Sequence, residues 1–149
     1  MVKWINSIQT TCLVIALSSC QFPDDPNRTL KAIQETHRLK AGVCSNQATP
    51  LEEIELLRQL ARDLHAEITW YSSNQEALYR QLQHFKLDIA ACAIHQDSPW
   101  SEILAFSVPY YKKGSTAYVL ALPPGENGWL KEVNEFIHQQ REIQHAARH

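Results

Sequence analysis

An alternation of two kinds of segment most constrains what this chain can fold into. Short runs rich in β-branched and aromatic residues lie at 39–43 (LKAGV), 67–71 (EITWY), 87–92 (LDIAAC) and 116–122 (TAYVLAL). Between them, apolar residues recur at helical spacing: Ile54, Leu57, Leu60, Ala61 and Leu64 in one stretch, Leu78, Leu82 and Phe85 in the next. A third such face, Trp129, Leu130, Val133, Phe136 and Ile137, follows the turn at 123–128. Strands alternating with amphipathic helices predict an α/β layer, with a mostly parallel sheet of about four to five strands flanked by helices.

Helix starts are marked locally. Asp25-Pro26 reads as an N-cap with Pro at the first helical position, opening a helix through Leu30 and Ile33 to about His37. Thr49-Pro50-Leu51-Glu52 and Ser73-Asn74-Gln75-Glu76 both have capping-box spacing. Glu52, Glu53 and Glu55 then read as the acidic first turn of a capped helix, not as a catalytic carboxylate pair.

Composition narrows the function. The chain has 149 residues, with 44% apolar and 20% charged, which makes one small domain and neither a disordered tail nor a repeat. Fourteen Lys and Arg against sixteen Asp and Glu leave a net charge of −2, so there is no basic footprint for nucleic acid. Four glycines give no phosphate cradle, and no Ser/His/Asp, Cys/His or Cys-x-x-Cys signature points to catalysis. His138, His145 and His149 have helical spacing but no thiol or carboxylate support, so a solvated tail is expected there and neither a metal nor another cofactor.

The N-terminus has the order of a secretory signal. Lys3 is followed by an apolar stretch ending in Leu13-Val14-Ile15-Ala16-Leu17, then Ser18-Ser19-Cys20. Leu17-Ser18-Ser19-Cys20 resembles the lipobox of bacterial lipoproteins, in which the cysteine becomes the lipid-modified N-terminus. That resemblance implies a signal peptide at 1–19, a tether at 20–26, a folded lobe at 27–140 and a flexible tail at 141–149. Gln21 after the cysteine implies the outer membrane if the source is Gram-negative, with the lobe facing the periplasm. The mature chain would have 130 residues, and loss of Lys3 would take its net charge to −3. Cys44 and Cys92 then remain beside the anchor. In an oxidising compartment they can pair, or they can stay buried as small apolar thiols.

The segments Leu30-Lys31-Ala32-Ile33, Leu39-Lys40-Ala41-Gly42-Val43, Glu53-Ile54-Glu55-Leu56-Leu57, Leu87-Asp88-Ile89 and Phe106-Ser107-Val108-Pro109-Tyr110-Tyr111 occur in a telling order. Together they resemble the first lobe of family 3 of bacterial extracellular solute-binding proteins. The resemblance implies one lobe of a periplasmic-binding-protein type II fold, in a family whose two lobes close on a ligand on behalf of an ABC importer. It also places the first and third strands, which end at Cys44 and Cys92, side by side.

Departures from that pattern shape the functional expectation. The last strand leads through Pro123-Pro124-Gly125 directly into the final helix, so a second lobe is missing. Cys44-Ser45-Asn46-Gln47-Ala48 leaves no room for the family's aromatic loop. Trp100 stands where the family's Thr-x-Thr-x-x-Arg segment places the arginine that grips a ligand carboxylate. An Arg fork holds a carboxylate by paired charge-assisted bonds, whereas indole offers one N–H. Ligands of open α/β sheets sit beyond the carboxyl ends of the strands. Ser45, Asn46, His95, Asp97, Trp100 and Tyr110 are therefore the candidate ligand or partner face. The leading reading is a membrane-tethered accessory or sensory partner of a transport system. The alternatives are a solute binder whose second wall comes from a dimer mate or transporter, and a structural envelope lipoprotein.

Overall fold

The computed structural model describes residues 25–45 and 50–147. Cys20 and the signal-like segment lie outside the described residues, as do Asn46 and Thr49. The elements run α1 (Thr29–Thr36), β1 (Arg38–Cys44), α2 (Leu51–Asp63), β2 (Glu67–Ser73), α3 (Gln75–Gln83), β3 (Ile89–His95), a 3₁₀ turn (Pro99–Glu102), β4 (Ala105–Phe106), β5 (Tyr111–Lys113), β6 (Thr116–Leu122) and α4 (Asn127–Ala146). They build one mixed sheet in the order β2-β1-β3-β6-β4, with β5 also paired to β6.

The sheet is parallel only where helices supply crossovers. β1 pairs in parallel with β2 and β3, and α2 and α3 make the connections. No helix of that length separates β3 from β6, so β6 returns antiparallel, as do β4 and β5 against it. The expected parallel character thus holds for three strands and gives way at the fourth long one.

Side-chain alternation sorts the core into two layers. Leu39, Ala41, Ile89, Ala91, Leu120 and Leu122 face α1, α2 and α4, where they meet Ile33, Leu57, Leu60, Trp129, Val133 and Phe136. On the other face, Ala90, Cys92, Ile94, Val119 and Ala121 meet Leu78, Tyr79 and Leu82 of α3. Gly42 lets α3 come close: a Cβ there would lie 2.9 Å from Leu87 Cδ1 and 3.0 Å from Leu78 Cδ2.

Helix caps differ from the expected ones in an informative way. Asp25 does not open a helix in its own segment; α1 begins at Thr29. Its buried carboxylate instead accepts from the backbone N–H groups of Gly128 and Trp129, at the start of α4. In return, Glu126 accepts from the N–H groups of Asn27 and Thr29, at 2.8 Å each. Two helix starts about a hundred residues apart therefore cap each other, which local reading misses. At α3 the cap is Asn74, whose side chain accepts from Ala77 N–H at 2.9 Å, one residue after the expected Ser73.

The last helix reaches into the segment 141–149 expected as a tail. α4 continues to Ala146, and Arg141 donates to the carbonyl of Pro109. Asn134 accepts from Val108 N–H at 2.7 Å, so this helix fixes the Phe106–Tyr111 segment along β6. Among the described residues, no helix is long and apolar enough to cross a membrane.

Candidate functional site

The carboxyl ends of β1, β2 and β3, at Cys44, Ser73 and His95, define the mouth of the sheet. β6 starts beside them, with Tyr118 opposite His95, and runs away to Leu122 at the far end. The Pro123–Glu126 connection therefore lies away from the mouth. At the mouth, β5 and β6 join through the tight Gly114–Ser115 turn, with Gly114 at φ +59°. The turn at the mouth is thus Gly114–Ser115, and the Pro-Pro-Gly turn where the sequence suggested the missing lobe lies at the far end.

A disulfide joins Cys44 to Cys92 across the first and third strands, with their Cα atoms 5.2 Å apart. The next residue, Ala93, sits in a left-handed conformation (φ +47°) within a break in the β3–β6 register. Such a bulge re-aims the side chains that follow it. Ile94 stays on the face of Cys92, and beyond the bulge His95 lies edge-on to Tyr118, with ring centroids 5.1 Å apart.

Glu53 holds this bulge. Its carboxylate is fully buried and accepts from Ala93 N–H at 3.0 and 3.1 Å and from the Tyr110 hydroxyl at 2.6 Å. Burial raises the Glu53 pKa, and the Tyr110 and Ala93 hydrogen bonds work against that rise. The Tyr110 hydroxyl is itself driven upward, first by burial and then by the neighbouring Glu53 charge. Sequence reading treated Glu53 only as part of an acidic turn. Its spacing to Leu57, Leu60 and Ala61 was the available signal, because it sits on the helix's apolar stripe.

Of the expected site residues, His95 and Asp97 come together, both lining clefts of about 370 and 280 Å³. Ser45 is exposed at the end of β1, and its N–H donates to Ser73 O at 2.8 Å. Trp100 borders a neighbouring cleft of about 280 Å³ with Asn74, Gln75 and Glu76. It is only half-exposed, because its ring packs edge-on to buried Tyr79 at 4.9 Å. Tyr110 is committed to Glu53 and is held back from these clefts.

The residues lining these clefts include acids, while the nearby bases, Lys113 on β5 and Arg80 on α3, stand outside the linings. Among the described residues, no Lys or Arg lines the three clefts, whereas Asp97 and Glu76 do. α2 and α3 both begin here, and helix starts favour anions. Their first turns already carry Glu52, Glu53 and Glu76. Among the described residues, no group of three or more His, Cys, Asp and Glu is placed to hold a metal ion.

Comparison with known proteins sets this geometry in context. No curated protein matches the chain in sequence. Among solved structures, the arginine-bound form of domain 1 of TmArgBP, from T. maritima, is similar, with a TM-score of 0.66 and 18% identity over 72% of this chain and 97% of that one. An amino acid ABC transporter substrate-binding protein from Streptococcus pneumoniae, bound to L-arginine, gives a TM-score of 0.66 and 12% identity over 78% and 93%. An ancestral cyclohexadienyl dehydratase gives a TM-score of 0.69 and 12% identity over 80% and 93%. At these identities the likeness concerns the fold. Residues 52–148 match the model for bacterial extracellular solute-binding proteins, family 3, and the chain belongs to that family.

Proposed function

We propose that this lobe is a lipid-anchored accessory or sensory partner of a transport system at the bacterial envelope, and not a conventional amino-acid receptor. The mouth of the sheet, with His95, Asp97 and Trp100, is its recognition face. The observation that carries this reading is that, among the described residues, no basic side chain lines the three clefts there. A ligand α-carboxylate would find Asp97, and the one guanidinium close by, Arg80, is already paired with Glu76. The second support is exposure. Small-molecule sites bury about 70–90% of their ligand, whereas one lobe offers one wall.

The anchor is Cys20, in a periplasm-facing lipoprotein placed in the outer membrane of a Gram-negative source. Cys20→Ser then abolishes fatty-acid labelling and membrane retention, and unchanged fractionation overturns the anchor. For the partner role, a photo-crosslinking side chain at position 97 should trap a transporter subunit in the envelope, while one at exposed position 143 on α4 should not. Equal adducts from both positions, or none from 97, contradict the reading.

A second reading keeps solute binding, with a wall supplied by a dimer mate or a transporter. It is favoured by one comparison, since the TmArgBP structure is a single domain in its arginine-bound form.

A further inference from the structure

The sheet has two unlike edges. Beyond β6 the edge is broken into β4, of two residues, and β5, of three. Short and interrupted strands are one way in which proteins blunt an edge against further pairing. The opposite edge is β2, seven residues paired to β1 in unbroken register from Arg38↔Glu67 to Cys44↔Ser73. It carries no Pro, Gly, Lys or Arg, and exposes Trp70 (39%) and Tyr71 (38%). Among the described residues, nothing pairs with its outer side.

The direction of its backbone groups can be read. Glu67 N–H donates to His37 O, and Ser73 O accepts from Ser45 N–H, so both residues turn toward β1. Backbone groups alternate along a strand. Ile68, Trp70 and Ser72 therefore turn theirs outward.

The geometry points to β2 as the interface with a second copy of this chain, paired antiparallel about a two-fold axis at Trp70. In that register each Trp70 faces its counterpart, each Ile68 faces Ser72, and each Thr69 faces Tyr71. The outward-turned residues meet only one another, so their N–H and C=O groups are exchanged in matching pairs. Glu67, the one charged residue of the strand, falls opposite Ser73, and no like charges meet. Hydrogen-bond parity and charge both allow this register, and centring at Trp70 is the choice that pairs all seven residues.

Antiparallel pairing sends the two mouths to opposite ends of the joined sheet. The dimer leaves both open and supplies no closing wall. This inference goes beyond the partner reading, and either can fail without the other.

Sedimentation velocity of the full chain over a dilution series tests it, with Trp70→Pro and Trp70→Lys as variants. Proline at 70 removes an outward N–H and spares the ladder to β1. Lysine sets two ammonium groups opposite each other across the axis. Wild type should dimerise reversibly, and each variant should raise the dimer Kd about tenfold or more, with unchanged far-ultraviolet dichroism. Trp70→Phe should stay dimeric. If the proline variant misfolds, the lysine variant decides. A wild-type monomer at every concentration, or a dimer indifferent to Trp70→Lys, overturns the proposal. Capture of an extended peptide by β2 in place of a second copy overturns it as well.

Discussion

Glu53 shows how much one residue can organise in this lobe. A carboxylate on an apolar helix stripe costs desolvation, and here it is offset by three hydrogen bonds that tie α2 to the β3 bulge and the Tyr110 segment. Because burial raises its pKa, the folded state binds its proton more tightly than the unfolded chain does. Stability therefore falls as pH rises from the ordinary glutamate range through the raised value. Asp88, also raised by burial, acts in the same direction. Glu53→Gln should flatten part of that decline, measured as Tm against pH from 4 to about 8; an unchanged slope would place the titration elsewhere. Trp100 makes a different point. Its contact with Tyr79 gives it a packing role, so Trp100→Ala should cost about 2 kcal/mol in urea unfolding. A loss below about 0.5 kcal/mol would mark it as a surface residue instead.

At the scale of elements, the sequence was most legible where the signal is local. β6 begins and ends where its apolar run does, and β2 and α2 follow their patterns closely. The reversal of strand direction at β6 was hidden, because the run 116–122 reads alike in either direction. The caps were hidden for another reason: Asp25 has a helix in sequence but caps a different one in space. Asp25→Ala should cost about 1–2 kcal/mol and fray the start of α4, which hydrogen exchange at Gly128 and Trp129 would register. Unaltered protection there would argue against the cap. The disulfide joins residues 48 apart, so its loop-closure contribution is about 4 kcal/mol. Cys44→Ser should lower stability by about 2–4 kcal/mol, and a variant as stable as wild type would show that the bond contributes nothing. At the site, the sequence ends the third strand at Cys92, whereas β3 runs from Ile89 to His95, because the Ala93 bulge has no local signal. The role of Tyr110 was not legible either, since its commitment to Glu53 depends on a contact 57 residues away.

At the scale of the whole fold, the described residues form one lobe of the family's architecture, with β5 and β6 joined at its mouth by a two-residue turn. Asp97 lines two of its clefts, and no described Lys or Arg does. The central claim is that this mouth recognises a partner and not an amino acid. Titration calorimetry of the full chain with L-arginine tests it most directly, because arginine occupies the similar TmArgBP domain. No saturable heat is expected up to millimolar ligand. Saturable micromolar binding by the monomer would contradict it.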